Sequence, residues 1–147
     1  NIMKAEQIFS LVNLVALGGW LLLAAAPRWK FTGKIVLSGA LPLLLSAAYL
    51  TLIILFFGAA EGGFGSLADV MKLFTNQWAT LAGWIHYLAF DLFVGGWEVG
   101  DAQQRGVSHW FVVPCLILTF LLGPIGFLLY HILRRVASNK SSQGEAQ

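Results

Sequence analysis

Apolar residues follow one another in long runs along this chain, and short polar segments separate the runs. Four runs carry few charges and are long enough to cross a bilayer as helices: residues 6–26, 35–57, 78–97 and 110–133. Pro114 and Gly123-Pro124 are expected to kink the last of them. The pattern predicts an all-α fold, an integral membrane bundle of four transmembrane helices. We expect one domain over residues 1–136 and a disordered polar tail over residues 137–147.

The linker between the second and third runs has a different pattern. Its apolar residues recur at i, i+3, i+4 and i+7, as Leu67, Val70, Met71 and Phe74. This one-sided spacing is typical of an amphipathic helix. We therefore expect a short helix here that lies in the membrane interface.

Composition supports the membrane class and excludes others. Of the 147 residues, 58% are hydrophobic and 11% are charged, whereas a soluble domain carries about 25% charged residues. The net charge of +2 and the lack of a basic stripe argue against nucleic acid as a partner. Cys115, the single cysteine, lies in an apolar run and is expected to pack there. The expected location is a bacterial inner membrane, or a thylakoid or plastid membrane if the source is a phototroph.

Orientation in the membrane is not decided by this pattern. An even number of spans places both termini on one side of the bilayer. That side carries five basic residues with the second linker: Lys4, Lys72, Arg134, Arg135 and Lys140. The other side carries four: Arg28, Lys30, Lys34 and Arg105. Five against four does not satisfy the positive-inside rule in either direction.

Two ionisable residues lie near the middle of the third run, His86 and Asp91. A charged side chain at the bilayer centre costs about 2.5 to 3.5 kcal/mol on insertion scales, so such residues mark functional sites by default. Five residues separate the two, which places them about 140° apart around a helix. We expect each to meet a different neighbour, and the plausible partners on the other runs are Asn13, Tyr49 and Thr119. Packing of His86 through a backbone carbonyl is the structural alternative.

More polar residues follow the third run, namely Glu98, Asp101, Arg105 and His109. If the helix continues, Asp101 and Arg105 form an i, i+4 pair, and Glu98 extends the face of Asp91. An ordinary solvated loop is the alternative. Glu61, in the linker beside two glycines, is either a functional carboxylate or a turn residue.

Motifs for bound cofactors do not occur in the sequence. It contains no nucleotide-binding loop, zinc motif or c-type haem motif. It also lacks the Glu-x-x-His pairs of a di-iron bundle. We therefore predict no cofactor and no metal.

The central segment, residues 78–95, reads WATLAGWIHYLAFDLFVG and resembles the plant neoxanthin synthase family, the abscisic-acid-deficient type, with its bacterial relatives. Further matching residues follow in the same order and spacing: Asn13, Trp20, Pro27, Pro114-Cys115-Leu116, Thr119-Phe120 and Gly123-Pro124-Ile125-Gly126. The resemblance implies a four-helix membrane protein. In plants it implies conversion of violaxanthin to the allenic xanthophyll neoxanthin.

The implied reaction requires an acid and a base but no redox cofactor. An acid protonates the epoxide oxygen as the C–O bond opens, and a base removes a polyene proton. A carboxylic acid kept neutral by an apolar site can serve as the acid, and we assign that role to Asp91. The base is then His86 or Glu61. A carotenoid or other isoprenoid would lie along aromatic and polar residues: Trp84, Tyr87, Phe90, Phe93, Asn13, Tyr49, Glu98, Asp101, Arg105, His109 and Thr119.

Two other classes of function fit the same residues. One is a non-catalytic pigment-binding or assembly subunit of a larger membrane complex, with His86 as a pigment ligand. The other is a small proton-coupled transporter that uses Asp91 as its relay, which would favour a homo-oligomer because four spans are few for a transporter.

Overall fold

The computed structural model describes residues 4–144, with side chains described through residue 137. Its helices are α1 (Ala5–Ala25), α2 (Lys30–Thr32), a π-helical stretch (Gly33–Leu37), α3 (Ala40–Phe56), a 3-10 turn (Phe57–Ala59), α4 (Leu67–Leu73), α5 (Gln77–Arg105), α6 (His109–Leu122) and α7 (Pro124–Gly144). The described residues contain no strand. The predicted all-α class is therefore confirmed.

Two stretches are long and apolar enough to cross a membrane, Ala5–Ala25 and Lys30–Ala59. The second joins α2, the π-helical stretch, α3 and the 3-10 turn. Only 28% and 17% of the residues in their most apolar parts are buried, so most of these side chains face outward. A helix of 21 residues rises about 31 Å, close to the thickness of the hydrocarbon core. Two of the four predicted transmembrane spans are thus long and apolar enough to cross a membrane as helices.

The chain forms two compact units. Unit 1 contains Asn1–Gly18 and Leu41–Phe90, and unit 2 contains Gly19–Ala40 and Asp91–Gln147. The helices α1 and α5 each contribute residues to both units.

Unit 1 includes the predicted amphipathic helix, which is α4. The Ser66 hydroxyl caps α4 by accepting a hydrogen bond from the backbone of Asp69 at 3.1 Å. Leu67 and Met71 of the predicted apolar face are 77% and 66% exposed. Leu73, which lies off that face, is the buried residue of α4. The apolar face is thus available to a membrane interface.

Unit 2 corrects the prediction of a single fourth helix over residues 110–133. The segment forms two helices, α6 and α7, which meet at Gly123. Contacts along α5 show their directions: Asp91 lies beside Gly123, Trp97 beside Phe127. Farther along α5, Asp101 contacts Tyr130 and then Arg134. The helix α7 therefore runs parallel to α5, and α6 runs back against both as one arm of a hairpin.

Local backbone chemistry explains the reversal. Gly123 has a φ of +22°, a conformation that side chains with a Cβ rarely adopt. Pro124 begins α7, a position where its missing N–H costs nothing. Pro114, expected to kink the run, stays inside α6. At Gly123-Pro124, where a kink was predicted, the chain reverses its direction.

The helix α5 also differs from the prediction, because it ends at Arg105 and not near residue 97. Residues 98–105 are helical, so the alternative of a solvated loop is wrong for them. The side chains beyond residue 137 and the backbone of residues 145–147 lie outside the described residues, so the disordered tail stays a prediction.

Candidate functional site

Three carboxylic acids line unit 2 along the last four turns of α5: Asp91, Glu98 and Asp101. Residues seven apart share a face of a helix, so Asp91 and Glu98 point in nearly the same direction. The side chains that complete the site come from the α6–α7 hairpin. Its chemistry therefore depends on the chain reversal at Gly123.

Glu98 is fully buried. The hydroxyl of Thr119, on α6, donates to its carboxyl group, with Oγ1 lying 2.9 Å from Oε1 and 3.1 Å from Oε2. Burying an ionised carboxylate is costly unless it is paired and hydrogen-bonded. Thr119 was expected to be a partner of His86 or Asp91, and the structure brings its hydroxyl to Glu98, which lies just beyond the predicted third run.

Asp91 is half-buried and lies against the turn of the hairpin. A Cβ at Gly123 would be 2.7 Å from Oδ1 of Asp91, so any larger residue there would displace the carboxyl group. Asp91 and Glu98 lie two helical turns apart on this face of α5.

Asp101 connects α5 with α7. The Tyr130 hydroxyl donates to its Oδ2 at 2.7 Å, and the guanidinium nitrogen of Arg134 lies 3.4 Å from Oδ1. Arg105 donates from Nε to both oxygens, at 3.0 and 2.9 Å, which is the i, i+4 pair expected for a continuous helix. These donors hold Asp101 as a carboxylate in a network of charged hydrogen bonds.

Aromatic contacts also pack α7 against this part of α5. Trp97 contacts the rings of Phe127, Tyr130 and His131 at centroid distances of 5.6, 5.5 and 5.2 Å. The guanidinium carbon of Arg134 lies 5.3 Å from the centre of the Trp97 ring, within the range of a cation–π contact.

Replacement of Tyr130 by phenylalanine is expected to lower the free energy of unfolding by about 1.5 to 3 kcal/mol, because a hydrogen bond to a charged group is lost. Denaturant titration in detergent micelles measures this loss. Tyr49→Phe is the matched control, since the Tyr49 hydroxyl makes no hydrogen bond among the described residues. Equal stability of the two variants would show that the Tyr130–Asp101 contact does not hold the hairpin.

Unit 1 contains His86 and most of the aromatic candidates. His86 is exposed and contacts the rings of Tyr49 and Phe90, at centroid distances of 5.7 and 4.8 Å. The indole nitrogen of Trp84 donates to Oδ1 of Asn13 at 2.8 Å, so Asn13 partners Trp84. Tyr49 meets His86 as a ring neighbour.

A groove of about 1010 Å³ lies in unit 1. Its aromatic lining comes from α1, the end of α4 and the first turns of α5: Phe9, Phe74, Trp78, Trp84 and Tyr87. Two of the residues predicted to contact an isoprenoid, Trp84 and Tyr87, are therefore placed together. Phe90 and Phe93 are exposed on α5 outside this lining.

Glu61 lies in the exposed linker of unit 1. Its carboxylate is 2.9 Å from the ammonium group of Lys72, and the hydrogen bond and charge of Lys72 lower the pKa of Glu61. A lower pKa makes a carboxylate a weaker base. The catalytic role assigned to Glu61 stays a prediction that this ion pair disfavours.

His109 occupies the beginning of α6 in unit 2. Its Nε2 lies 2.8 Å from the carbonyl oxygen of Ala24, in the last turn of α1. Carbonyl groups in the last turn of a helix lack partners within the helix, so His109 caps α1. This contact gives His109 a structural role in addition to the predicted substrate contact.

Tyr130 and the contribution of Arg134 to the site were not predicted from the sequence. Tyr130 is a polar side chain inside an apolar stretch, one helical turn before Arg134, which is a signal that could have identified the pair. Among the described residues, no group of three or more His, Cys, Asp or Glu side chains is arranged to hold a metal ion.

Comparison with known proteins gives one family. The family model described as ABA DEFICIENT 4-like matches residues 7–130. The Arabidopsis thaliana protein ABA DEFICIENT 4, chloroplastic, is 20% identical over 144 residues, which cover 92% of this chain and 64% of that protein. The chain thus spans less than two thirds of the length of this relative. No solved structure matches the chain.

Proposed function

Since the chain belongs to the ABA DEFICIENT 4-like family, we propose that it is an integral membrane protein that acts on a carotenoid or related isoprenoid by acid–base chemistry at Asp91. The observation that carries this proposal is the position of the half-buried Asp91 carboxyl group against the turn at Gly123, on the same face of α5 as the fully buried Glu98. The family resemblance of the sequence supplies the substrate class.

In the proposed arrangement, α1, the α2–α3 segment and α5 cross the bilayer. The hairpin α6–α7 enters from one side and returns to it. A helix of 14 residues, such as α6, rises about 21 Å, less than the hydrocarbon thickness. Exposed apolar residues at the tip of the hairpin support its insertion into lipid: Leu121, Leu122, Ile125 and Leu128. A bacterial inner membrane or a thylakoid membrane suits this arrangement.

Asp91 is the member of the pair that a substrate can reach, because it is half-buried whereas Glu98 is fully buried. In its neutral form, Asp91 donates its proton to the epoxide oxygen as the C–O bond opens. The resulting carboxylate then removes a proton from the adjacent polyene carbon, and the double bonds rearrange to an allene. Asp91 is thereby protonated again, the product is an isomer of the substrate, and no oxidant or reductant is consumed.

In this scheme Glu98 is a positioning residue that acts through Asp91. Its negative charge favours the neutral form of Asp91 that the first step requires. Thr119 orients Glu98 by its hydrogen bond. The base role that sequence analysis assigned to His86 or Glu61 is then not needed, and variants of these two residues test that directly.

The aromatic groove of unit 1 supports binding of a long apolar ligand. Ring faces such as those of Trp78 and Trp84 offer large apolar contact area at low entropic cost. The hydrogen bond between Asn13 and Trp84 fixes one wall of the groove.

The test is pigment analysis of cells that accumulate violaxanthin, with and without this chain. A new neoxanthin peak that is absent for Asp91→Ala at equal expression would support the proposed reaction. Asp69→Ala is the matched control, because Asp69 is exposed on α4. Conversion unaffected by Asp91→Ala would overturn the assignment of the site.

The other two classes of function give different results in the same cells. A carotenoid that co-purifies chemically unchanged, with no new product, would favour a pigment-binding or assembly subunit. Proton flux in liposomes that disappears with Asp91→Ala, without any pigment conversion, would favour a proton-coupled transporter.

A further inference from the structure

Basic and aromatic side chains are concentrated at one end of unit 2, where α1 and α5 finish beside the middle of α7. The basic residues with described side chains at this end are Arg28, Lys30, Lys34, Arg105, Arg134 and Arg135. Two contacts show that these segments lie together: Gln103 donates to the carbonyl oxygen of Pro27 at 2.9 Å, and Arg134 lies 3.4 Å from Asp101. We call this region the basic end of unit 2.

Several of these charges are available for an external anion. Arg28, Lys30, Lys34 and Arg135 are exposed, and none of them forms an ion pair among the described residues. Arg105 and Arg134 are instead engaged by Asp101. The exposed four therefore give the basic end a positive charge that the protein itself does not neutralise.

Exposed aromatic residues surround the same end. Trp29 is 51% exposed and lies edge-on to Phe31, with a distance of 4.8 Å between the ring centroids. Trp110 is 84% exposed at the start of α6, where His109 contacts the last turn of α1. Tryptophan prefers the headgroup level of a bilayer. The aromatic residues thus mark the depth at which the basic side chains meet lipid headgroups.

A cavity of about 300 Å³ opens at the basic end. Its polar lining includes Arg28, Gln103 and His109, and Trp29 and Val99 lie on its apolar side. A cationic residue beside polar side chains and an aromatic ring suits a phosphate group attached to an apolar chain.

We infer that the basic end of unit 2 is a binding surface for anionic lipid headgroups. It faces the cytoplasmic side of the membrane, where loops carry an excess of Lys and Arg. This inference rests on the membrane location proposed above. The hairpin is essential to it, because the hairpin returns Arg134 and Arg135 to the side that already holds Arg28, Lys30, Lys34 and Arg105. Only Lys4 and Lys72 of the described basic residues then remain for the other side. Six basic residues then lie on one side of the membrane and two on the other, and this excess satisfies the positive-inside rule.

Membrane sidedness gives the first test. Three single-cysteine variants in a Cys115→Ser background, Lys4→Cys, Gln104→Cys and Ala137→Cys, are treated in sealed vesicles with a maleimide that cannot cross the bilayer. We expect Gln104→Cys and Ala137→Cys to react from the same side and Lys4→Cys from the opposite side. Reaction of Ala137→Cys together with Lys4→Cys would overturn the inference, because it would place the end of α7 on the side of the N-terminus.

Lipid selectivity gives the second test. The unfolding temperature of the purified chain is measured with added phosphatidylglycerol or phosphatidylcholine, since a ligand that binds the folded state stabilises it. We expect phosphatidylglycerol to raise it more, and Lys30→Gln/Lys34→Gln to lose most of that difference. Lys4→Gln/Lys72→Gln removes the same charge elsewhere and should retain it. Equal losses in the two variants, or equal stabilisation by inorganic phosphate, would overturn a lipid surface. Neither readout depends on turnover, so failure of the proposed reaction would leave both results interpretable.

Discussion

Replacement of Asp91 by asparagine is expected to lower the rate of violaxanthin conversion by about 10²- to 10⁴-fold, the usual contribution of general acid–base catalysis. Asparagine keeps the size of the side chain, so the turn at Gly123 is not disturbed. It cannot donate a carboxylic acid proton or accept one. Initial rates in isolated membranes at equal protein content measure the effect.

Asp69→Asn provides the matched control, with the same chemical change at an exposed position of α4. It should convert substrate at the rate of the unmodified chain. A decrease of less than tenfold for Asp91→Asn would exclude Asp91 as the acid. A loss of 10²-fold or more for His86→Asn would instead restore the base role that the sequence assigned to His86.

Glu98→Gln separates a positioning role from a purely structural one. Glutamine retains an acceptor for the Thr119 hydroxyl but carries no charge that could act on Asp91. If Glu98 acts through Asp91, the pH profile of conversion should lose one ionisation while KM changes little. A profile of unchanged shape with lower protein yield would indicate that Glu98 serves only the packing of unit 2.

Replacement of Gly126 by alanine is the substitution expected to affect stability most. A Cβ there would collide with the backbone nitrogen and hydroxyl oxygen of Thr119, and would lie 2.6 Å from the carbonyl oxygen of Cys115. Backbone atoms cannot move aside cheaply, and overpacking of this kind costs about 1 to 3 kcal/mol or more. The two arms of the hairpin would separate, and Thr119 would lose its contact with Glu98. Unfolding in detergent micelles should therefore begin at a lower denaturant concentration, with conversion reduced in parallel.

Gly100→Ala is the control for this prediction, because a Cβ at Gly100 meets no atom within 4 Å. On helix propensity alone, alanine stabilises a helix interior by roughly 0.5 to 1 kcal/mol relative to glycine. The two variants should thus change stability in opposite directions. A stability gain in both would show that α6 and α7 do not approach each other as closely as the structure indicates.

Much of the fold could be predicted from the sequence. The first run, residues 6–26, corresponds to α1 (Ala5–Ala25), and the linker helix predicted from its spacing is α4. The family resemblance on residues 78–95 is confirmed by the family model. These successes share a physical reason: apolar length and 3.6-residue periodicity are local properties, and a membrane-spanning or amphipathic helix satisfies its backbone hydrogen bonds without distant partners.

The candidate site was predicted less completely. Asp91, Glu98 and Thr119 were named as candidates, but Glu98 was placed on the face of Asp91 only if the helix continued, and it was not paired with Thr119. Glu98 follows an apolar run and precedes polar residues, so helix and solvated loop were equally consistent with its position. Burial of Glu98 depends on α6 and α7, and the local sequence around Glu98 does not predict how those helices pack.

The sequence by itself determined that this chain is helical, that long stretches of it are apolar enough for lipid, and that it belongs to the ABA DEFICIENT 4-like family. Only the tertiary structure decided that residues 109–144 turn back at Gly123 and do not continue in one direction. Glycine followed by proline permits both a kink and a reversal, because both need only a flexible φ and a missing N–H. The choice depends on side-chain contacts between residues far apart in sequence, such as Trp97 with His131 and Asp101 with Tyr130. Those contacts also bury Glu98 and bring Arg134 and Arg135 to the basic end of unit 2.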